Sequence, residues 1–393
     1  MFQSVYFYLM VVVCIFALGD LIGVFTKGRL SGMMMVMLLF LVCFLAGIIP
    51  KDIIDRAGLT QLASCATSMV LFNMGSTLNI RQLIQEWRTV LMAALCMLFS
   101  CIVMFFTVPL IGLDTVLVGM PVINGAAVAT SLMTQAAMGR GLTTAAALCA
   151  VIYSVQKLVG APFASAMGLR YARKLLAAYR ENPELHMARL NHHQSGGQGP
   201  KIPFHVRHKE LYTSNVLIGI VCFGVWISQV LGSVTPISSS IWALILGSLS
   251  GLGGYIPPKL LQRSSSYGLL MIAVFCSIIP SLGEVSLGNL FSMAFQTLVL
   301  FISACIGIFL IGWILPGWKL VGDRYLAVGI GVEQFLGFPS NVVICREVAE
   351  AVGETQEEKT YIEESLSVPY VVGGITVVTI LSTALAGCII NFL

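Results

Sequence analysis

Five ionisable side chains lie inside otherwise uncharged apolar runs of this sequence: Asp20, Lys157, Glu333, Glu363 and Glu364. A charge at the centre of a bilayer costs a few kcal/mol unless it is paired or hydrated, so each marks a place where chemistry is expected. Lys157 precedes Pro162 by five residues and Glu364 precedes Pro369 by five, which sets opposite charges at matching places in two halves of the chain. Lys157 would then face an aqueous cavity and pair with Glu364 or Glu333, bind a substrate carboxylate directly, or stand in for a coupling cation. Sixteen residues precede it in its apolar run, too many for its ammonium to snorkel easily to the interface. Glu333 stands with Gln334 just ahead of Gly337. For Glu363 and Glu364 the competing reading is a solvated position beside the acidic run Glu347 to Glu358, and Asp20, six residues from its helix end, reaches the interface unaided.

Uncharged polar residues gather at two breaks in apolar runs. The first break offers Asn124 and Gly125, with Thr130 and Ser131 on the helix that leaves it; the second offers Gly337, Pro339, Ser340 and Asn341. Half-helix N-termini present free N–H groups and a positive dipole end, which suit a carboxylate. Unwound carbonyls and Ser, Thr or Asn oxygens suit a dehydrated sodium ion, the one metal this sequence suggests. Asn73, Ser76 and Thr77 are secondary candidates. The competing role for each hydroxyl is a hydrogen bond to its own helix backbone.

The elements that must position these groups follow from composition. Charged residues are 10% of 393 and hydrophobic residues 57%, with a mean hydropathy of +0.91, against about 25% charged in a soluble domain. A soluble enzyme, a disordered chain and a nucleic-acid binder are thereby excluded, and the expected class is an all-α polytopic membrane protein. The first apolar run, 5–26, has no basic residues before it and reads as an uncleaved helix. Apolar segments of spanning length fall at 5–26, 31–49, 57–79, 89–112, 115–138 and 141–169, then at 215–233, 235–256, 264–283, 285–318, 325–345 and 360–391. Residues 1–169 thus form a first membrane repeat and 215–393 a second. The linker 170–214 between them holds eight of the 22 Lys and Arg and all five histidines (His186, His192, His193, His205, His208). No Cys or carboxylate stands at ligand spacing to those histidines, so a solvated loop is expected rather than a metal site. The eleven cysteines are scattered through apolar runs without a CxxC and read as small buried hydrophobes.

Counting cations decides the topology. If all twelve segments cross, 14 Lys and Arg lie on the linker side and 7 opposite; if the fifth segment of each half is a re-entrant hairpin, the division becomes 18 against 3. The positive-inside rule favours the second arrangement: five crossings and one hairpin per half, the halves inverted, the linker cytoplasmic and both termini outside. The hairpin segments carry Pro121 with Asn124 to Ala129, and Gly329, Gly331, Gly337, Phe338, Pro339, Ser340 and Asn341. Such breaks survive at membrane depth only where protein buries them or a cavity hydrates them, and paired breaks in two halves point to a transporter's binding site. Two kinked packing helices are the alternative. Other matches keep the same order: Gly119 with Gly329, Ala137-Met138-Gly139 with Ala351-Val352-Gly353, Gly160-Ala161-Pro162 with Ser367-Val368-Pro369.

Several stretches resemble the sodium/glutamate symporter (ESS) family, within the wider group that includes the 2-hydroxycarboxylate transporters. They are Met69-Val-Leu-Phe-Asn-Met-Gly-Ser-Thr-Leu-Asn-Ile-Arg81, Gly112-Leu-Asp-Thr115, Phe338-Pro-Ser340 and Val368-Pro369, with the central basic loop. The resemblance is distant and spans nearly the whole chain. It implies an inverted-repeat secondary transporter of the bacterial inner membrane, moving glutamate or a similar small carboxylate or amino acid with sodium, without a cofactor and as a homodimer. The first tip here reads Asn124-Gly125-Ala126-Ala127 where the family has a Gly-Gly-His-Gly-Thr-like sequence, and Phe338-Pro339-Ser340 answers a Thr-Pro-Thr-like one. Carriers of another anion (citrate, bicarbonate) and proton coupling therefore stand as alternatives. A channel is disfavoured by two unlike tips, and an intramembrane enzyme by the lack of HExxH, GxSxG or paired membrane carboxylates.

Overall fold

A computed structural model describes residues 4–26, 32–78, 80–181, 204–235, 237–252, 256–337 and 340–393. Pro339, Phe338, Asn79, the Ser195 to Pro200 run, and His186, His192 and His193 lie outside the described residues. Within them the chain is helical, with no strand. The first half runs α1 (Val5–Phe25), α2 (Gly32–Leu45), α3 (Thr60–Thr77), α4 (Trp87–Phe105), α5 (Leu113–Ile123), α6 (Ala127–Gly139) and α7 (Thr143–Glu181). The second half runs α8 (Ser214–Val234), α9 (Ser239–Leu252), α10 (Tyr267–Cys276), α11 (Leu287–Phe309), α12 (Arg324–Val332), α13 (Ser340–Val352), α14 (Gln356–Ile375) and α15 (Ser382–Ile389). A π-helical turn, Leu310–Ile314, prolongs α11, and another, Thr376–Leu381, joins α14 to α15. Six helices among the described residues are long and apolar enough to cross a membrane. The chain is a membrane-embedded helical protein.

Local chemistry sets the helix ends. Ser4 caps α1 and Ser286 caps α11, each hydroxyl accepting from a backbone N–H three residues on. The Asp323 carboxylate accepts from the N–H groups of Tyr325 and Leu326 at 2.7 and 3.2 Å and starts α12. Thr355 and Glu358 form a reciprocal capping box at α14. Between α3 and α9 the backbones touch: a methyl on Gly251 would meet the Ser76 carbonyl at 3.0 Å, and one on Gly75 would lie 2.8 Å from Ser248 N. Such close approach needs residues without side chains.

Helix α7 continues past the first apolar half. The stretch from 170 stays helical to Glu181 because Tyr171-Ala-Arg-Lys-Leu-Leu-Ala-Ala-Tyr is rich in helix formers and has something to pack on. Ala172, Leu176 and Tyr179 are buried, and the Tyr179 ring stacks on Tyr361 at 4.6 Å. Beyond the apolar segments, Arg180 donates to both Glu358 oxygens at 2.8 and 3.2 Å and pairs with Glu354 at 3.0 Å. This contact ties the end of α7 to the start of α14. The last long helix of each half is therefore locked to the other.

The Arg180 hydrogen bonds, with the backbone N–H of Glu354, pull the Glu358 carboxyl from 4.5 down to about 2. Folding then favours the ionised form: its contribution is complete above pH 4.5 and fades as the pH falls towards about 2. Thermal unfolding in detergent is expected to show Glu358→Gln below wild type at neutral pH, the gap closing towards pH 2. A gap that does not change with pH would refute this origin.

Candidate functional site

Helix α7 is the ruler on which the two broken helix pairs can be located. Asp114 at the start of α5 and Gly141 just past α6 line one small cavity, of about 270 Å³, with Thr143 and Thr144 of α7. At the other end of α7, Lys174 pairs with Asp323 ahead of α12 at 2.6 Å, and Arg173 lines a cavity with Ala351 and Val352 at the end of α13. The pairs therefore start and finish at opposite ends of α7. Thr143 and Arg173 are about 45 Å apart along a helix rising ~1.5 Å per residue.

The breaks meet near the middle of that length. Gln156 Nε2 donates to the Gly125 carbonyl at the first break, 3.1 Å away. Four residues further, Gly160 lies against the second break, where a methyl on it would sit 2.7 Å from Phe335 Cβ. A methyl on Gly337 would be 3.8 Å from Ala126 Cβ, so one tip faces the other directly. Opposite α7, the π-helical stretch closes the junction: Val378 approaches Gly337, and the Ser382 hydroxyl lies 3.0 Å from where a Gly125 methyl would be.

The sequence explains both breaks. Pro121 cannot donate to the carbonyl four residues back, which weakens the last turn of α5. The chain unwinds at Asn124-Gly125-Ala126, and Asn124 Nδ2 bonds back to the Met120 carbonyl at 2.8 Å. Ala126 then opens α6 with no side-chain cap, in buried surroundings. At the second break a tight turn, Glu333–Phe335, ends α12, and Gly337 takes φ +68°, where a side chain would be strained.

Around this junction lie fully buried oxygen atoms that accept no hydrogen bond: Asn124 Oδ1, Gln156 Oε1, Gln334 Oε1 and both carboxylate oxygens of Glu333. Their amide partners are held. Gln334 Nε2 donates to Ser100 Oγ at 3.1 Å, and Asn124 Nδ2 reaches Cys101 Sγ at 3.5 Å, so neighbouring residues of α4 connect the two tips. A buried carboxylate with no donor is costly by several kcal/mol unless it takes up a proton or a cation. The junction thus combines uncapped helix N–H groups, suited to an anion, with bare oxygens, suited to a cation.

The other expected residues fall into three groups. Asn341, buried, donates to the Tyr370 carbonyl at 3.4 Å and lies with Glu333 beside Gly374. Lys157 sits between Gln156 and Gly160, at the level of both tips and half-buried, and Ser340 is also half-buried at the start of α13. The second group spends its polar atoms on the fold. Thr130, Ser76 and Thr77 bond their own helix carbonyls, and Asn73 Oδ1 accepts from Leu261 N at 2.9 Å. Ser131 joins Thr67 and Ser277 at 2.8 and 2.5 Å, linking α6 to α3 and to the end of α10. Third, Glu364 is half-buried six residues before Tyr370, and the final helix meets the tips at Tyr370, Gly374, Val378 and Ser382, all beyond it. The ion pairs among the described residues include neither Lys157–Glu364 nor Lys157–Glu333. Asp20 is exposed, beside Gly32.

Sequence reasoning passed over Gln156, Ser100 and Ser382, which touch the junction. Their signal was a polar residue without charge in an apolar helix. No family model and no curated protein matches this chain.

The fit at Gly160 is testable by substitution. Gly160→Val forces its side chain into Phe335 and Leu336 and is expected to cost about 1–3 kcal/mol, seen as a lower thermal midpoint in detergent. Gly139→Ala, with nothing within 4 Å, should leave the midpoint unchanged. Equal midpoints for both variants would contradict the packing described.

Proposed function

We propose that this protein is a secondary active transporter that moves a small carboxylate or amino acid, coupled to a cation, by alternating access. The observation that carries the reading is the contact between two interrupted apolar helices, Ala126 against Gly337, halfway along α7 and among buried unsatisfied oxygens. Half-helices that meet at mid-membrane are how carriers assemble a polar site within lipid. In this reading the pairs α5/α6 and α12/α13 are re-entrant hairpins from opposite faces, and the halves are inverted repeats with the linker cytoplasmic. The resemblance to sodium/glutamate symporters supports the same assignment, with sodium as coupling ion, glutamate or a related anion as substrate, the bacterial inner membrane as location and a homodimer as assembly.

Each group has a task. The N–H groups opening α6 and the Lys157 ammonium attract the substrate's carboxylate. Glu333, with the side-chain oxygens of Gln334 and Asn124, attracts the coupling cation. The hairpins, with α7 and α14–α15, form the moving body, and the glycine-packed pair α3 and α9 belongs to the scaffold. The hydroxyls of Thr67, Ser131 and Ser277 lie between the two bodies, where short hydrogen bonds can exchange partners as one slides.

Uptake by proteoliposomes tests this. Labelled glutamate and a panel of carboxylates, including citrate and bicarbonate, would be offered with and without a sodium or proton gradient. At least one should accumulate with the gradient and show trans-stimulated exchange, which a channel lacks. Asn124→Ala and Lys157→Ala should abolish uptake while remaining folded. Normal transport by both variants would remove the site assignment, and flux without exchange would remove the carrier.

A further inference from the structure

A deep apolar groove of about 920 Å³ runs along the outside of α11, walled by α2 and α7. Leu38, Val155, Val159, Phe301, Phe309 and Ile314 line it, and Ser154, Thr297 and Cys305 carry the polar side chains among its lining residues. It backs onto the second break, where Phe301 packs on Phe335 at 5.6 Å, but none of the residues proposed to bind cargo or cation line it. Its lining runs from Leu290 to Ile314, roughly 36 Å at ~1.5 Å per residue. One leaflet's share of a ~30 Å hydrocarbon core is about 15 Å. The half of the groove nearest Ile314 is thus about as long as one acyl chain is deep.

What distinguishes it from an ordinary lipid-facing furrow is its end. Next to Ile314, the Trp313 ring packs edge-on to Tyr325 at 5.1 Å. The Arg324 guanidinium lies over Trp313 and Trp318 at 5.7 and 5.0 Å, and Arg170 lies over Tyr325 at 5.8 Å. Arg170 also continues the α7 face that carries Val155, Val159 and Phe163, the last packed on Phe309 at 5.5 Å. Asp323, the carboxylate in this cluster, is taken up by Lys174 at 2.6 Å and by the N–H groups of Tyr325 and Leu326. Arg170, Arg324 and Lys319 make no ion pair among the described residues. Aromatic rings at headgroup level and basic residues between spanning helices are what an anionic headgroup recognises.

We propose that this groove binds one anionic phospholipid, an acyl chain lying along α11 and the phosphate seated on Arg324 and Arg170. Only the membrane setting is needed for this, not the identity of the cargo. Native mass spectrometry of the full chain in mild detergent, with phosphatidylglycerol or phosphatidylcholine of matched chains added, reads it directly. Phosphatidylglycerol should be retained in preference, by roughly five-fold per arginine, the ratio given by ~1 kcal/mol per basic residue at an anionic surface. Arg170→Gln with Arg324→Gln, both at exposed positions, should bring it down to the phosphatidylcholine level. The deacylated headgroup, glycerophosphoglycerol, should not displace the bound lipid. Equal retention of the two lipids, an undiminished preference in the double variant, or displacement by the headgroup alone would each overturn the proposal. So would a disulfide-linked pair formed through Cys305 as sole cysteine, which would put a second copy of the chain on the groove.

Discussion

In hydrocarbon, every backbone N–H and C=O must find a partner within the protein, and the architecture here is organised around two places where a helix fails to supply one. The unwound turns at Asn124–Ala126 and Glu333–Gly337 are tolerable because each is enclosed by the other tip, by α7 and by the final helix. Gln156 satisfies the Gly125 carbonyl directly, and Gly160 and Gly374 are small enough to let the second tip approach. Remove that enclosure and the breaks would have to heal into continuous helices.

Much of the remaining structure follows from holding those tips in register. The last long helix of each half must pass both breaks at once, so α7 and α14–α15 are long and tied together beyond the apolar region by Arg180 and Glu358. The π-helical turn at Thr376–Leu381 falls where the last helix meets the tips. A π turn inserts an extra residue and re-aims the side chains after it, which allows Val378 and Ser382 to face different tips. Elsewhere the demand is rigidity, met by direct backbone contact at Gly75, Gly247 and Gly251.

The sequence announced the helices, their order and the two breaks, because apolar runs, Pro121 and the glycines of 329–337 act locally. Orientation of one half against the other was less legible. Matching Pro162 to Pro369 set Lys157 opposite Glu364, yet the last helix meets the tips from Tyr370 to Ser382, all beyond that proline. Proline marks a helix kink but not the depth at which a neighbour packs. Charge proved a partial guide as well. It singled out Glu333, which is buried at the junction, but not Gln156, whose neutral amide bridges α7 to the first tip and gives no signal in a charge count. The hydroxyls of Thr130, Ser76 and Thr77 turned inward to their own helices, as short polar side chains in apolar helices commonly do.

The central claim is that both broken pairs turn back at mid-membrane, from opposite sides. Side-specific labelling with a membrane-impermeant thiol reagent, on single cysteines placed at Leu113, Arg140, Lys319 and Ala351 in a cysteine-free background, measures this directly; all four positions are exposed. The account predicts that Leu113→Cys and Arg140→Cys react from one side and Lys319→Cys and Ala351→Cys from the other. Leu113→Cys and Arg140→Cys reacting from opposite sides would mean that the first pair crosses the bilayer, and would contradict it.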